Sequence, residues 1–271
     1  MSGMNKRLDT KNNGVVDHGG IAVFDAVLFD LSGTIIDDGY IRVGHAAVAR
    51  EMHRQWGIDE AGAAAAIHPA LRDQLIAWAH RPYFPMIESI IAAFDAVVTT
   101  AGKRATDRQL RGLDATLWEH AIPAATITPG ACETIARLRS AGVRTGILSF
   151  ADTQPFHALL EHTGLAGLTD VELCSEETAS CKPDPKIFRD ALAILDVAPE
   201  RALFVGDSID ADIVGGNRVG MATALLTNRP YAITAPDEHH LIGGDHDRHP
   251  TYRITTVTQA ADIAVRCSAT T

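Results

Sequence analysis

Five side chains that could share one piece of chemistry are spread along this sequence: Asp30, Ser149, Lys182, Asp207 and Asp212. Asp30 closes the apolar run Ala26-Val27-Leu28-Phe29 and is followed at once by Leu31-Ser32-Gly33-Thr34, where the glycine signals a sharp turn. A buried strand ending in a carboxylate presents it at the carboxyl rim of a sheet, where open α/β folds hold their ligands. An aspartate so placed is a candidate nucleophile. Attack on a phosphoryl group brings two negative charges together, so the charge must be neutralised. Asp30 with Asp207 offers two hard oxygen ligands suited to Mg²⁺. Lys182 could bind phosphoryl oxygens and orient the aspartate, and the Ser149 hydroxyl could donate to a further oxygen. A plainer reading of Asp30 is a helix N-cap, but it leaves the other residues without a role. Position 32 holds serine where a second acid would be the obvious proton-transfer partner.

The elements that must position these residues follow from pattern. Phe24–Asp30 reads as a short buried strand. From about Tyr40 to His120 the pattern changes to helices over 43–56, 61–79, 84–101 and 107–120, with Ile87, Ile90, Ile91 and Phe94 recurring as one apolar stripe. Strand and helix then alternate. Strands are expected at 143–150, 170–174, 202–206 and 222–226, with an edge strand at 252–254. Helices are expected at 130–141, 155–162, 185–195, 210–220 and 258–267. Such alternation implies a doubly wound parallel sheet with helices on both faces, interrupted by an all-helical insert. In that arrangement Asp30, Ser149, Lys182 and Gly206-Asp207-Ser208 all follow strand ends and converge on one rim. The expected organisation is a tail over 1–21, a core built from 22–39 and 123–271, and a helical insert over 40–122.

Composition narrows the partners. The 271 residues carry a net charge of −10 and no basic cluster, which argues against nucleic acid. No apolar run reaches membrane-spanning length. The polar stretch Met1–Gly20 lacks the apolar region of a signal peptide. Cys132, Cys174, Cys181 and Cys267 fall in no zinc or disulfide pattern and read as reduced thiols of a cytoplasmic protein. His239, His240, His246 and His249, with Asp245 and Asp247, lack metal-site spacing and read as a solvated loop. Trp56, Trp78 and Trp118 read as core residues of the insert. Tyr83 and Phe84 are candidates for lining a pocket. Oligomeric state is not fixed by the sequence.

Asp30-Leu-Ser-Gly-Thr34, Ile147-Leu-Ser149, Lys182-Pro-Asp-Pro185 and Val205-Gly-Asp-Ser-Ile-Asp-Ala-Asp212 resemble, in order and spacing, the four motifs of the haloacid dehalogenase superfamily. The likeness covers about 22–39 and 123–230, and the helical insert is similar in placement to that family's first type of cap domain. The resemblance implies a Mg²⁺-dependent hydrolase of a small phosphorylated metabolite. Asp30 would be the nucleophile. Ser149, Lys182 and Thr34 would bind the transferred group. Asp30, Asp207, Asp212 and the backbone carbonyl of Ser32 would serve the metal.

Ser32 departs from the phosphatase pattern, which has aspartate there to protonate the leaving alkoxide and then deprotonate water. Such a positioned acid/base contributes ~10²–10⁴-fold, and serine cannot replace it. Asp37, Asp38 and His45 are near enough in sequence to supply the proton. The alternatives are a phosphonatase-like carbon–phosphorus hydrolase, a dehalogenase, and a non-catalytic binding protein. The first would need a Schiff-base lysine, for which the insert offers only Lys103. The second uses no metal, which the acidic Asp207/Asp212 motif disfavours.

Overall fold

The structure, a computed structural model, describes residues 15–16, 20–227 and 245–267. Six parallel strands form the central sheet in the order Tyr252–Ile254, Ala222–Leu226, Ala202–Gly206, Ala26–Asp30, Arg144–Ser149, Val171–Cys174. The Ala26–Asp30 strand lies in the middle, and the chain moves outward on one side before crossing to the other. That reversal makes a crevice at the carboxyl ends of Ala26–Asp30 and Ala202–Gly206, the switch point of a doubly wound sheet.

All five residues of the Ala26–Asp30 strand are buried, as a strand covered on both faces requires. Alternate side chains enter different cores. Val27 and Phe29 pack with Leu138, Phe156 and Leu160 of helices Ala131–Ser140 and Thr153–Thr163. Ala26 and Leu28 pack with Ile187, Phe188 and Leu192 of helix Pro185–Leu195 on the other face.

Between the first and second sheet strands the chain leaves through Ile36–Asp37 and returns through Thr126–Ile127, which pair antiparallel as a two-stranded neck. Beyond this neck stand four helices, α1 (Gly39–Trp56), α2 (Glu60–Trp78), α3 (Met86–Thr100) and α4 (Asp107–Ala121). They enclose a separate core of Val48, Met52, Ile67, Phe94, Val98 and Leu113, among others. Trp56 and Trp118 pack against it. Trp78 does not; it meets Phe84 edge-on at 5.3 Å between ring centroids, with the Arg81 guanidinium 4.6 Å above it.

The expected elements need correction in two places, the paired chain ends and the stretch 209–219. The last helix ends at Ala264, not Cys267; Val265–Cys267 becomes a strand paired with Gly20–Ala22, which in turn pairs with Val15–Val16. Residues 15–16 and 20–22 therefore belong to a small antiparallel sheet, not to a structureless tail. A partner from the opposite end of the chain decides both, and local pattern cannot reveal it. The second correction concerns 209–219, which begins as a π-type turn over Ile209–Ile213 before the α-helix Val214–Val219. Much of the His-rich loop, including His239 and His240, lies outside the described residues. His246 and His249 are exposed. Among the described residues no helix is long and apolar enough to cross a membrane, and Cys132, Cys174 and Cys181 are unpaired thiols.

Candidate active site

Four strand ends and one turn build the site. Gly33, at φ 82°, takes the left-handed turn that stops the first strand and donates its N–H to Ile36 O. Asp30 is thereby left at the sheet rim, 7% exposed. Lys182 is buried beside it. Its ammonium donates to Asp30 Oδ1 at 2.5 Å, to Asp212 Oδ1 at 2.7 Å and to Leu148 O at 3.3 Å. The Asp212 carboxylate folds back over the π-type turn, and its Oδ2 accepts the N–H groups of Asp207 and Ser208 at 3.1 and 3.0 Å. Only glycine fits at 206, because a Cβ there would sit 2.3 Å from Asp212 Oδ2.

The electrostatics follow from this packing. Burial pushes the Asp212 carboxyl up to about 6, against the pull of Lys182. Burial also works to lower Lys182, but the charges of Asp212 and Asp30 hold it above its ordinary value. Carboxylate oxygens of Asp30, Asp207 and Asp212 lie within 4.8 Å of one another. An all-oxygen donor set of this spacing fits a hard divalent cation such as Mg²⁺.

The rim opens into a cavity of about 520 Å³ between core and helices. Asp30, Ser32, Ser149, Lys182, Asp207 and Asp212 all line it. Thr34 does not. It is fully buried in the turn after the first strand, and its hydroxyl makes no hydrogen bond. The turn that exposes Asp30 carries position 34 underneath the sheet rim, so Thr34 is not in reach of a bound group. Asp38 lines the cavity; Asp37 instead accepts the Gly39 N–H at 2.8 Å. His45 stands in an adjoining chamber, where burial lowers it to about 4. Asp210 lines the cavity and is ion-paired with Arg248. Phe84 lines the cavity and Tyr83 does not. Lys103 is exposed and outside it.

Sequence pattern gave no sign of three further features. The Ser32 hydroxyl is bonded to the Tyr40 hydroxyl at 2.6 Å. Asp152, from the loop after Ser149, accepts the first N–H groups of α3, Met86 at 2.8 Å and Ile87 at 2.7 Å. The third is a second tie beside it, from Cys181 N to Pro82 O at 2.8 Å. All three cross between core and helical insert, the last two over long stretches of sequence, and each depends on how the two parts pack and not on local pattern.

A doubly wound sheet carrying a carboxylate–ammonium–carboxylate cluster at its switch point, roofed by helices, defines a hydrolase of the α/β class with an inserted cap. The family model for haloacid dehalogenase-like hydrolases matches residues 24–220, and the chain belongs to that family. It is similar to the ribulose-1,5-bisphosphate 5-phosphatase of Halopiger xanaduensis, with 38% identity over 40% of this chain and 46% of that one. The glyceraldehyde 3-phosphate phosphatase of Methanopyrus kandleri is 34% identical over 40% of this chain and 46% of its own length. The chain thus spans less than half the length of these curated relatives. Among solved structures, its fold resembles the putative HAD-hydrolase YfnB from Bacillus subtilis bound to magnesium, with TM-score 0.69 and 21% identity over 89% of this chain and 98% of that one. It resembles the L-2-haloacid dehalogenase from Xanthobacter autotrophicus as well, with TM-score 0.64 and 18% identity over 89% and 98%.

Proposed function

We propose that this hydrolase acts on a small phosphorylated metabolite, with Asp30 as nucleophile and Mg²⁺ as cofactor. The observation that carries the reading is the buried cluster: Asp30, Asp207 and Asp212 within 4.8 Å, with Lys182 bridging two of them. Asp30 Oδ attacks phosphorus in line, giving an aspartyl-phosphate that water then hydrolyses. Lys182 orients Asp30 and offsets charge on the phosphoryl oxygens, and Ser149 donates to one of them. Asp30, Asp207, Asp212 and the Ser32 carbonyl would hold the cation, whose role when bound is to neutralise the meeting charges. The phosphatase names of the curated relatives support this reading.

Ser32 lends some support to chemistry without a second acid, including carbon–halogen and carbon–phosphorus cleavage. The Schiff-base route to the latter has no cap lysine to use, since Lys103 is outside the cavity. Dehalogenation needs no metal and so leaves the carboxylate cluster unexplained. The test is phosphate release across phosphorylated metabolites, with and without Mg²⁺, beside the Asp30→Asn variant. Mg²⁺-dependent release, lost on the order of 10⁴-fold or more in the variant, is expected. Halide release from a 2-haloacid with no phosphate release from any ester would replace this reading with dehalogenation.

A further inference from the structure

A smaller chamber of about 120 Å³ adjoins the main cavity and shares Ser32, Leu75, Met86, Ser149 and Phe150 with it as a common wall. It reaches in among α1, α2, α3 and α4, against Ile67, Leu71, Ile90, Phe94 and Leu117. Among the described residues its lining contains no Asp, Glu, Lys or Arg. The polar groups in its wall are the hydroxyls of Ser32, Tyr40 and Ser149, the Trp118 indole and the His45 imidazole, which burial keeps neutral. One of the first two hydroxyls donates to the other at 2.6 Å, and the indole donates to Asp114 at 3.1 Å.

Position 32 is where the resemblance puts the side chain that meets the leaving oxygen, and Ser32 lines both cavities, so this chamber is one of the two spaces a leaving group can enter. A polyol or a second phosphate entering it would lose its water and find only a few neutral partners and no charge to pair with. An apolar body would be welcome, and the volume is near that of the ~150 Å³ apolar cavities that take up benzene. Asp38, which lines the larger cavity, is absent from this wall. A group departing into the chamber therefore finds no carboxyl to protonate it. An alkoxide, whose conjugate acid is nearly as weak as water at about 16, leaves poorly under those conditions. A phenolate, at about 10, does not need the help.

We propose that the substrate is the phosphate ester of an apolar, acidic hydroxyl, a phenol or an enol, whose body occupies this chamber. The proposal rests on the phosphohydrolase reading above. As Asp30 Oδ forms its bond to phosphorus, the bond from phosphorus to the ester oxygen breaks, and its electron pair stays on that oxygen. The phenolate or enolate departs without a proton from the protein and takes one from water. A second water then attacks phosphorus, restoring the Asp30 carboxylate and releasing inorganic phosphate.

The experiment is a comparison of kcat and KM for phenyl, cyclohexyl, methyl and glycerol phosphates, with acetyl phosphate as a control, in Mg²⁺. Phenyl phosphate is expected to exceed glycerol phosphate in kcat/KM by about 10²-fold or more, the share a general acid normally supplies. Cyclohexyl phosphate should match the phenyl ester in KM and fall behind it in kcat. Glycerol or cyclohexyl phosphate turning over as fast as phenyl phosphate would overturn the proposal. No release from any compound, acetyl phosphate included, would instead remove the phosphohydrolase reading beneath it. A second variant, Ala93→Leu, fills the chamber from α3; once thermal denaturation shows that it folds, its phenyl-to-methyl preference should drop about tenfold. An unchanged preference would place the ring elsewhere and overturn the assignment.

Discussion

At the rim of the sheet, three carboxylates and an ammonium are gathered in a small volume, with Asp30, Asp212 and Lys182 buried and Asp207 half-buried; Lys182 donates to Asp30 and Asp212, and Asp212 accepts from two backbone amides. Across the cavity the cap presents Leu75, Met86 and Phe84 together with Arg72, His80 and Arg81, and beside Ser32, among the described residues, a chamber whose lining has no Asp, Glu, Lys or Arg. The rim is fixed by parallel strands buried on both faces, so its side chains have one arrangement. The cap has its own hydrophobic core and joins the body through a two-stranded neck and a few side-chain ties. The comparison separates the work: a polar edge set by the sheet suits bond-making, and a separately packed wall that mixes apolar and basic side chains suits selection. One can be altered without the other.

The strongest way to break that separation is at Lys182. Lys182→Met leaves buried carboxylates facing each other with no counter-charge. Activity is expected to fall about 10²–10³-fold, and the metal-free protein should lose about 3–5 kcal/mol of stability by urea unfolding. A stable, active variant would mean that the rim does not depend on its ammonium.

Ser32→Asp sharpens the boundary between the two regions, because residue 32 belongs to both walls. Restoring a carboxyl there should raise kcat for an alkyl phosphate about tenfold or more and change an aryl phosphate far less. A fall in both would show that the Ser32–Tyr40 pair serves the site as it stands. Asp152→Ala tests the tie from core to cap. Loss of its two bonds to α3 should cost about 0.5–2 kcal/mol and raise KM more than it lowers kcat; a kcat effect alone would contradict a positioning role.

The smallest effect is expected within the cap, at Asp114. Burial raises its carboxyl to about 6, although the Trp118 indole donates to it at 3.1 Å. The folded state therefore favours the protonated form. Asp114 costs nothing below its unfolded value of 3.8, its penalty grows as pH rises from there to about 6, and it is fully present above that. Asp114→Asn should raise Tm at pH 7–8 and leave it unchanged near pH 4, by a margin on the order of 1 kcal/mol after solvent screening is discounted. Equal shifts at both pH values would assign the gain to something other than ionisation.

Parallel strands were legible because burial on both faces writes them as short, mostly apolar runs: Ala202–Gly206 and Ala222–Leu226 match the pattern residue for residue, and so do the edge strand Tyr252–Ile254, with Arg253 exposed, and helix Pro185–Leu195. The rim was legible for the same reason, since a polar residue ending such a run must emerge at one edge. Thr34 shows the limit. It shares the Asp30 motif, yet the turn that lifts Asp30 into the cavity tucks Thr34 beneath it.

The sequence by itself determined the doubly wound core, the helical insert after the first strand, and the set Asp30, Ser149, Lys182, Asp207 and Asp212 that the rim gathers, because these follow from short-range pattern and strand order. Tertiary structure alone decided the pairing of Val265–Cys267 with the N-terminal strand, the bond between Ser32 and Tyr40, the Asp152 tie and the apolar chamber. Each of these depends on which surfaces meet when separately folded pieces pack, and most join residues far apart in sequence. Periodicity records which side of an element is buried; it does not record what that side is buried against.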